Sequence, residues 1–131
     1  PHIEQLYGLA KSHGLKVMQH SCGSVAAFLP DLIECGLDII EPVQARACGM
    51  DPRELLQRYG GKLCFHGSID TQGTLPFGTP EDVRREVIDR IETFRPYGGF
   101  TIGPSQHLLP DIPIENVVAM YDAAWDYGWL D

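Results

Sequence analysis

Four times along this chain a short β-branched or apolar run is followed by a turn and then by a longer run of helical period. "LKVMQH" leads to "SVAAFLPDLIECG", "LDIIEPV" to "DPRELLQRYG", "KLCFHGSID" to "TPEDVRREVIDRIETF", and "GGFTIGPS" to "PIENVVAMYDAAWDYG". Four consecutive βα units require parallel strands joined by right-handed crossovers, which leaves two architectures. One is a small open doubly wound sheet. The other is a piece of a (β/α)8 barrel, in which eight units take about 250 residues, so the 131 residues of this chain match four units. The two differ in a testable way. A barrel half needs strands near 16–20, 38–43, 62–66 and 99–103 in sequential order with helices over one face. An open sheet reverses its order in the middle and carries helices on both faces.

Helix starts are written into the sequence. Asp51 precedes Pro52, and Thr79 precedes Pro80 with Asp82 three residues after Thr79, so a capping oxygen stands ahead of proline at the first helical position. The opening "HIEQLYGLAKSHG" has apolar residues at Ile3, Leu6, Leu9 and Ala10 and ends at Gly14, a helical stripe with no strand of its own before it. Trp125, Tyr127 and Trp129 are expected to pack the last helix onto the sheet or onto a partner.

Composition limits what the chain does. With 44% hydrophobic residues it has material for one core, and residues 1–131 form one domain. Ten Lys and Arg against eighteen Asp and Glu give a formal charge of −8 and leave no basic stripe for a phosphate backbone, so nucleic acid is excluded as the expected partner. No apolar run approaches the roughly 20 residues that span a bilayer, and the start lacks a signal-peptide layout, which makes a cytoplasmic protein with no membrane association the expectation. Cys22, Cys35, Cys48 and Cys64 show no C-x-x-C spacing and are expected as reduced thiols. Cys35, Cys48 and Cys64 read as small apolar fillers.

Every strand ends in polar chemistry: His20 and Cys22, Glu41 and Gln44, His66 and Asp70, then Ser105, Gln106 and His107. In both architectures ligands sit at the carboxyl ends of the strands, so these groups share one rim. Simpler roles stand beside that one. Asp70 and Thr71 suit a turn after a strand, Asp111 between two prolines orders its own loop, Glu115 complements a helix dipole, and His66 suits a core histidine bonded to a carbonyl.

"HSCGS", "GLDIIEPVQARACGMDPRELLQRYG", "FHGSIDTQGTLPFGTPEDVRREV" and "PSQHLLPDIPIENVVAMYDAA" together resemble the carboxyl-terminal half of the uroporphyrinogen decarboxylase family, over nearly the whole chain. The resemblance implies the carboxyl-terminal half of a (β/α)8 TIM barrel, four parallel strands with helices, and Pro1 in place of an initiator methionine agrees with a fragment. It also implies one of two chemistries: cofactor-free decarboxylation of uroporphyrinogen acetate arms, or zinc-dependent methyl transfer involving a corrinoid protein. The methyltransferase branch is similar to this sequence at His-x-Cys. Residues two apart in an extended segment point the same way, so His20 and Cys22 can reach one zinc ion, where a thiol is held as thiolate. The branch's third ligand, a cysteine, matches Gln106 here, with His107 beside it as the substitute ligand. The decarboxylase branch has a histidine where Gln106 stands.

The resemblance thus points first to zinc-assisted methyl transfer. Its implied catalytic group is His20, Cys22, His66 and Gln106. Glu41, Gln44, Asp70 and Ser105 would contact a small-molecule substrate, His20, Cys22 and His107 would hold zinc, and a corrinoid protein would be the partner. Decarboxylation without a cofactor and a non-catalytic binding or assembly module are the alternatives. Half a barrel also leaves an inner face and two strand edges open. With Val17, Ile40, Phe65 and Ile102 taken as that face, a homodimer or a complementary half-barrel is expected to cover it.

Overall fold

A computed structural model describes residues 2–129. Its four strands, β1 (Met18–His20), β2 (Ile39–Val43), β3 (Cys64–Ile69) and β4 (Phe100–Pro104), are parallel and lie in sequential order. That order separates the two architectures in favour of the barrel half, because each crossover moves one strand along in the same sense. Between and around the strands run α1 (His2–Ser12), α2 (Leu29–Glu34), α3 (Pro52–Tyr59), α4 (Thr74–Phe77), α5 (Pro80–Phe94) and α6 (Ile114–Tyr127). Both capping signals do what their chemistry implies. Asp51 accepts from the amides of Arg53 and Glu54, and Thr79 and Asp82 form a reciprocal capping box at the start of α5.

The core lies between one face of the sheet and the helices, in two adjoining clusters. The first gathers Val17, Ile40, Val43 and Phe65 from the strand side with Tyr7, Leu29, Leu55, Leu56 and Phe94 from the helices. The second gathers Ile69, Leu75, Val83, Val87, Ile91, Met120 and Ala123, with Ile102 packed against it. Val17, Ile40, Phe65 and Ile102 therefore face the helices, opposite to the inner-face assignment made for them above. Alternation along a strand then sends Met18, His20, Ile39, Glu41, Cys64, His66 and Thr101 to the inner face. This face is mixed in polarity, with Met18 and Thr101 exposed and Ile39 and Cys64 half-buried. The broad apolar surface expected there is absent.

Apolar surface is exposed on the helices instead. Ile114, Val118, Tyr121 and Trp125 are all exposed and recur along α6 at spacings of four, three and four, which is one helical face. Trp129 stacks edge-on against Trp125, with ring centroids 4.9 Å apart, and is exposed as well. Trp125 and Trp129 are thus not packed on the sheet, and Tyr127 lies under the Arg84 guanidinium of α5, 5.5 Å from its ring centroid, while Met120 and Ala123 take the packing role. On α1 the buried residue is Tyr7, whose hydroxyl donates to Gln19 Oε1 at 2.8 Å, while Ile3, Leu6 and Leu9 are exposed. Among the described residues β1 and β4 each have one edge without a strand neighbour.

Asp38 ties α1 to the start of β1. Its Oδ2 accepts from Lys11 Nζ at 2.5 Å and from the Val17 amide at 2.7 Å, and Lys16 Nζ lies 3.5 Å from Oδ1. Burial alone would raise the Asp38 carboxyl. The Lys11 and Val17 hydrogen bonds, with the two lysine charges, outweigh burial and hold it below the usual carboxylate range. A carboxyl lowered on folding stabilises the fold above its unfolded value and loses that contribution as pH falls through the folded value. Asp38→Asn is therefore expected to lower the melting temperature by a few degrees at pH 7, with the gap to the parent closing as the solution is acidified. Thermal melts by circular dichroism across that range check it; a constant gap would show that the lost carboxylate charge is not the cause.

Candidate active site

The inner-face parity that removes apolar residues from the rim places polar ones there. His20 ends β1 and pairs in register with Glu41 on β2. His20 Nδ1 lies 2.5 Å from Glu41 Oε2, and His20 Nε2 lies 3.3 Å from Cys22 Sγ. Gln106, two residues past β4, donates from Nε2 to the same sulfur at 2.7 Å. On the other side of Glu41, His66 Nδ1 stands 3.9 Å from Oε1, a buried ring nitrogen with no hydrogen-bond partner. One line of side chains, His66, Glu41, His20, Cys22 and Gln106, thus crosses the carboxyl rim, with donors from all four strands or their exits.

Local backbone geometry allows this approach. Gly67, directly after His66, has φ +123°, and a Cβ there would lie 3.1 Å from the Val43 amide nitrogen and 3.2 Å from its carbonyl oxygen. Only glycine lets β2 and β3 come together at this point, where the register between Ile40 and Val43 shifts. After β1 the chain leaves through Ser21, whose amide donates to the Glu41 carbonyl at 2.8 Å, and Gly23, whose amide donates to Gln44 Oε1 at 2.8 Å. Gln44 therefore fastens the Cys22 loop.

The remaining candidates sit apart from the line. Asp70 caps its own turn through the Gln72 amide and pairs with Arg46 at 3.2 Å. It lines a cleft of about 780 Å³ on the helix side, with Arg46, Glu86, Asp89 and Arg90. Ser105 is buried, and its hydroxyl meets the Thr71 amide and hydroxyl, which joins the exits of β3 and β4. The sequence did not single out Asn116. It is buried in α6 and donates to the carbonyls of Leu75 and Gly78, which ties α6 to α4; a lone asparagine in an apolar helix is its only signal. Cys22 and Cys48 are exposed and Cys35 and Cys64 half-buried, all as free thiols, so Cys48 is not a core filler.

A catalytic zinc takes three protein ligands and keeps a fourth position open. His20 Nε2 and Cys22 Sγ converge as two such ligands would, and Glu41 on Nδ1 is the carboxylate that commonly orients a ligating histidine. The third place is filled by the Gln106 amide, which donates a hydrogen toward the sulfur. His107 is exposed, and its backbone amide is bonded to Gln106 Oε1 at 3.0 Å. Among the described residues no three His, Cys, Asp or Glu side chains are placed to hold a metal ion. The expected trio of His20, Cys22 and His107 is not assembled, and the residues present do not fit the zinc centre implied by the resemblance.

The model of the uroporphyrinogen decarboxylase family matches residues 1–127. The chain belongs to this family. A methyltransferase from Methanosarcina mazei superposes with a TM-score of 0.75 at 23% identity, over 97% of this chain and 36% of that one. The likeness establishes the shared fold, and the chain spans about a third of that structure's length. No curated protein matches the sequence. Family membership accounts for sequential parallel strands, and no helix among the described residues is long and apolar enough to cross a membrane.

Proposed function

We propose that this chain is the carboxyl-terminal part of a methyl-transferring member of the uroporphyrinogen decarboxylase family, with the Cys22 thiol as its reactive group. The observation that carries this reading is the convergence of His20 and Gln106 on Cys22 at the strand rim. Decarboxylation of a tetrapyrrole acetate arm has no use for a thiol, whereas a methyl group on an electrophilic donor needs a soft nucleophile. The corresponding donor in this reading is a methyl group carried by a corrinoid partner protein. His20 accepts the thiol proton, and Glu41 fixes the imidazole through its 2.5 Å contact with Nδ1. The exposed stripes on α1 and α6, with the open edges of β1 and β4, are the surfaces that the rest of a barrel, or a second copy of the chain, covers.

Two substrates offered in parallel to the intact protein test this reading. With methylcobalamin, absorbance of the Co–C bond is expected to fall, while uroporphyrinogen is expected to stay unconverted. Formation of coproporphyrinogen without any demethylation of methylcobalamin would return the chain to the decarboxylase branch.

A further inference from the structure

The mismatch between this rim and a zinc centre has a chemical consequence. In a zinc-centred methyl transfer the metal activates a thiol; here three side chains are already arranged to do so. His20 Nδ1 meets a carboxylate at 2.5 Å, so its proton belongs on that nitrogen and the lone pair of Nε2 faces Cys22 Sγ at 3.3 Å. Nucleophile, base and orienting group therefore stand in the order that defines an activated side-chain nucleophile. Gln106 adds an N–H aimed at the sulfur at 2.7 Å, which stabilises negative charge developing there. Cys22 is also exposed.

We infer that Cys22 is itself the methyl acceptor, activated by His20 without a metal, so that each chain takes up one methyl group. This rests on the methyl-transfer reading for its donor but not for its nucleophile. In the step, the thiol proton passes to His20 Nε2, the sulfur electron pair forms the S–CH3 bond, and the donor keeps the electron pair of the bond that breaks. The product is a thioether, which lacks an acidic proton and is a poor methyl donor. Uptake is therefore stoichiometric, and the substrate class is methyl donors with a good leaving group. Glu41 is a positioning residue, acting through His20.

Cys48 supplies an internal standard, since it is exposed in the same molecule. The intact protein, treated with EDTA, is reacted with methyl iodide, and methylation at each cysteine is followed by peptide mass spectrometry. Cys22 is expected to react on the order of 100-fold faster than Cys48. His20→Gln is expected to bring the ratio near one, and Glu41→Gln to an intermediate value, with circular dichroism confirming that each variant is folded. A ratio near one in the parent overturns the inference without reliance on any variant, as does an advantage lost on chelation and regained with zinc. In a second arm methylcobalamin is the donor and excess 2-mercaptoethanol is present. One methyl per chain on Cys22, with the added thiol unmethylated, supports the inference. Many turnovers onto the added thiol overturn it while leaving methyl transfer standing. Fast, His20-dependent methylation by methyl iodide with none from methylcobalamin upholds the nucleophile and removes the corrinoid-linked reading.

Discussion

Phe94→Ala is expected to lower the unfolding free energy by about 3–5 kcal/mol, a large share of the ~5–15 kcal/mol that holds a domain folded. Phe94 closes α5, is fully buried, and sits between two strands: its ring centroid is 5.3 Å from that of Phe65 on β3 and 4.2 Å from that of Phe100 on β4, stacked on the latter at 13°. Truncation removes both aromatic contacts and opens a cavity between the end of α5 and strands β3 and β4, where backbone strands cannot easily collapse to fill it. Urea unfolding followed by tryptophan fluorescence and circular dichroism measures the loss; a change below about 1 kcal/mol would mean that Phe65 does not face α5.

That contact also shows how far the strands could be read. Ile39 and Ile40, Cys64 and Phe65 are neighbouring apolar pairs, and parallel strands read as continuous hydrophobic runs whose two faces look alike. The order of the strands and long helices, strand positions to within two or three residues and both helix caps were legible, because they rest on periodicity and on capping chemistry, whereas the four-residue α4 (Thr74–Phe77) was not. Face parity was not legible from apolar residues. It was legible from the polar ones: if Glu41 and His66 line the rim, Ile40 and Phe65 beside them must point to the helices, since adjacent residues on a strand face opposite ways. An inner face holding Ile40 and Phe65 and a rim holding Glu41 and His66 are incompatible, and the structure keeps the rim.

Convergence at the rim was legible for the same reason, as four strand tips of a barrel lean toward one axis. What the sequence lacked was the partner of each group. Nothing in the spacing of Asp70 shows that Arg46 draws it toward the helix side, or that Gln44 serves the Gly23 amide. The departure at Gln106 from the family's cysteine or histidine marks a missing ligand when read as a letter. Placed 2.7 Å from Cys22 it is a hydrogen-bond donor to the sulfur, where a metal-ligating thiolate or imidazole lone pair would instead point at the ion.

Removing that sulfur has the largest expected effect on activity. Cys22→Ala is expected to abolish the fast one-per-chain methyl uptake and leave only the background of the exposed Cys48 thiol, on the order of 100-fold slower, because it deletes the atom to which the methyl group bonds. Cys22→Ser keeps size and hydrogen bonding but not the nucleophile, and is expected to fall nearly as far. His20→Ala leaves the thiol without its base and is expected to cost about 100-fold. Added imidazole distinguishes chemistry from folding: it occupies the space of the lost ring beside Glu41 and is expected to recover part of the His20→Ala activity and none of the Cys22→Ala activity. Glu41→Gln retains His20 but replaces the carboxylate beside Nδ1 by a neutral amide that stabilises the imidazolium less, so its loss is expected to be roughly 10-fold and to appear in the rate at saturating donor, with the half-saturating concentration little changed. Methylation followed by radiolabel or by mass measures all four variants. Full activity in Cys22→Ala would move the chemistry away from the rim and leave the line from His66 to Gln106 as a structural strut between strands.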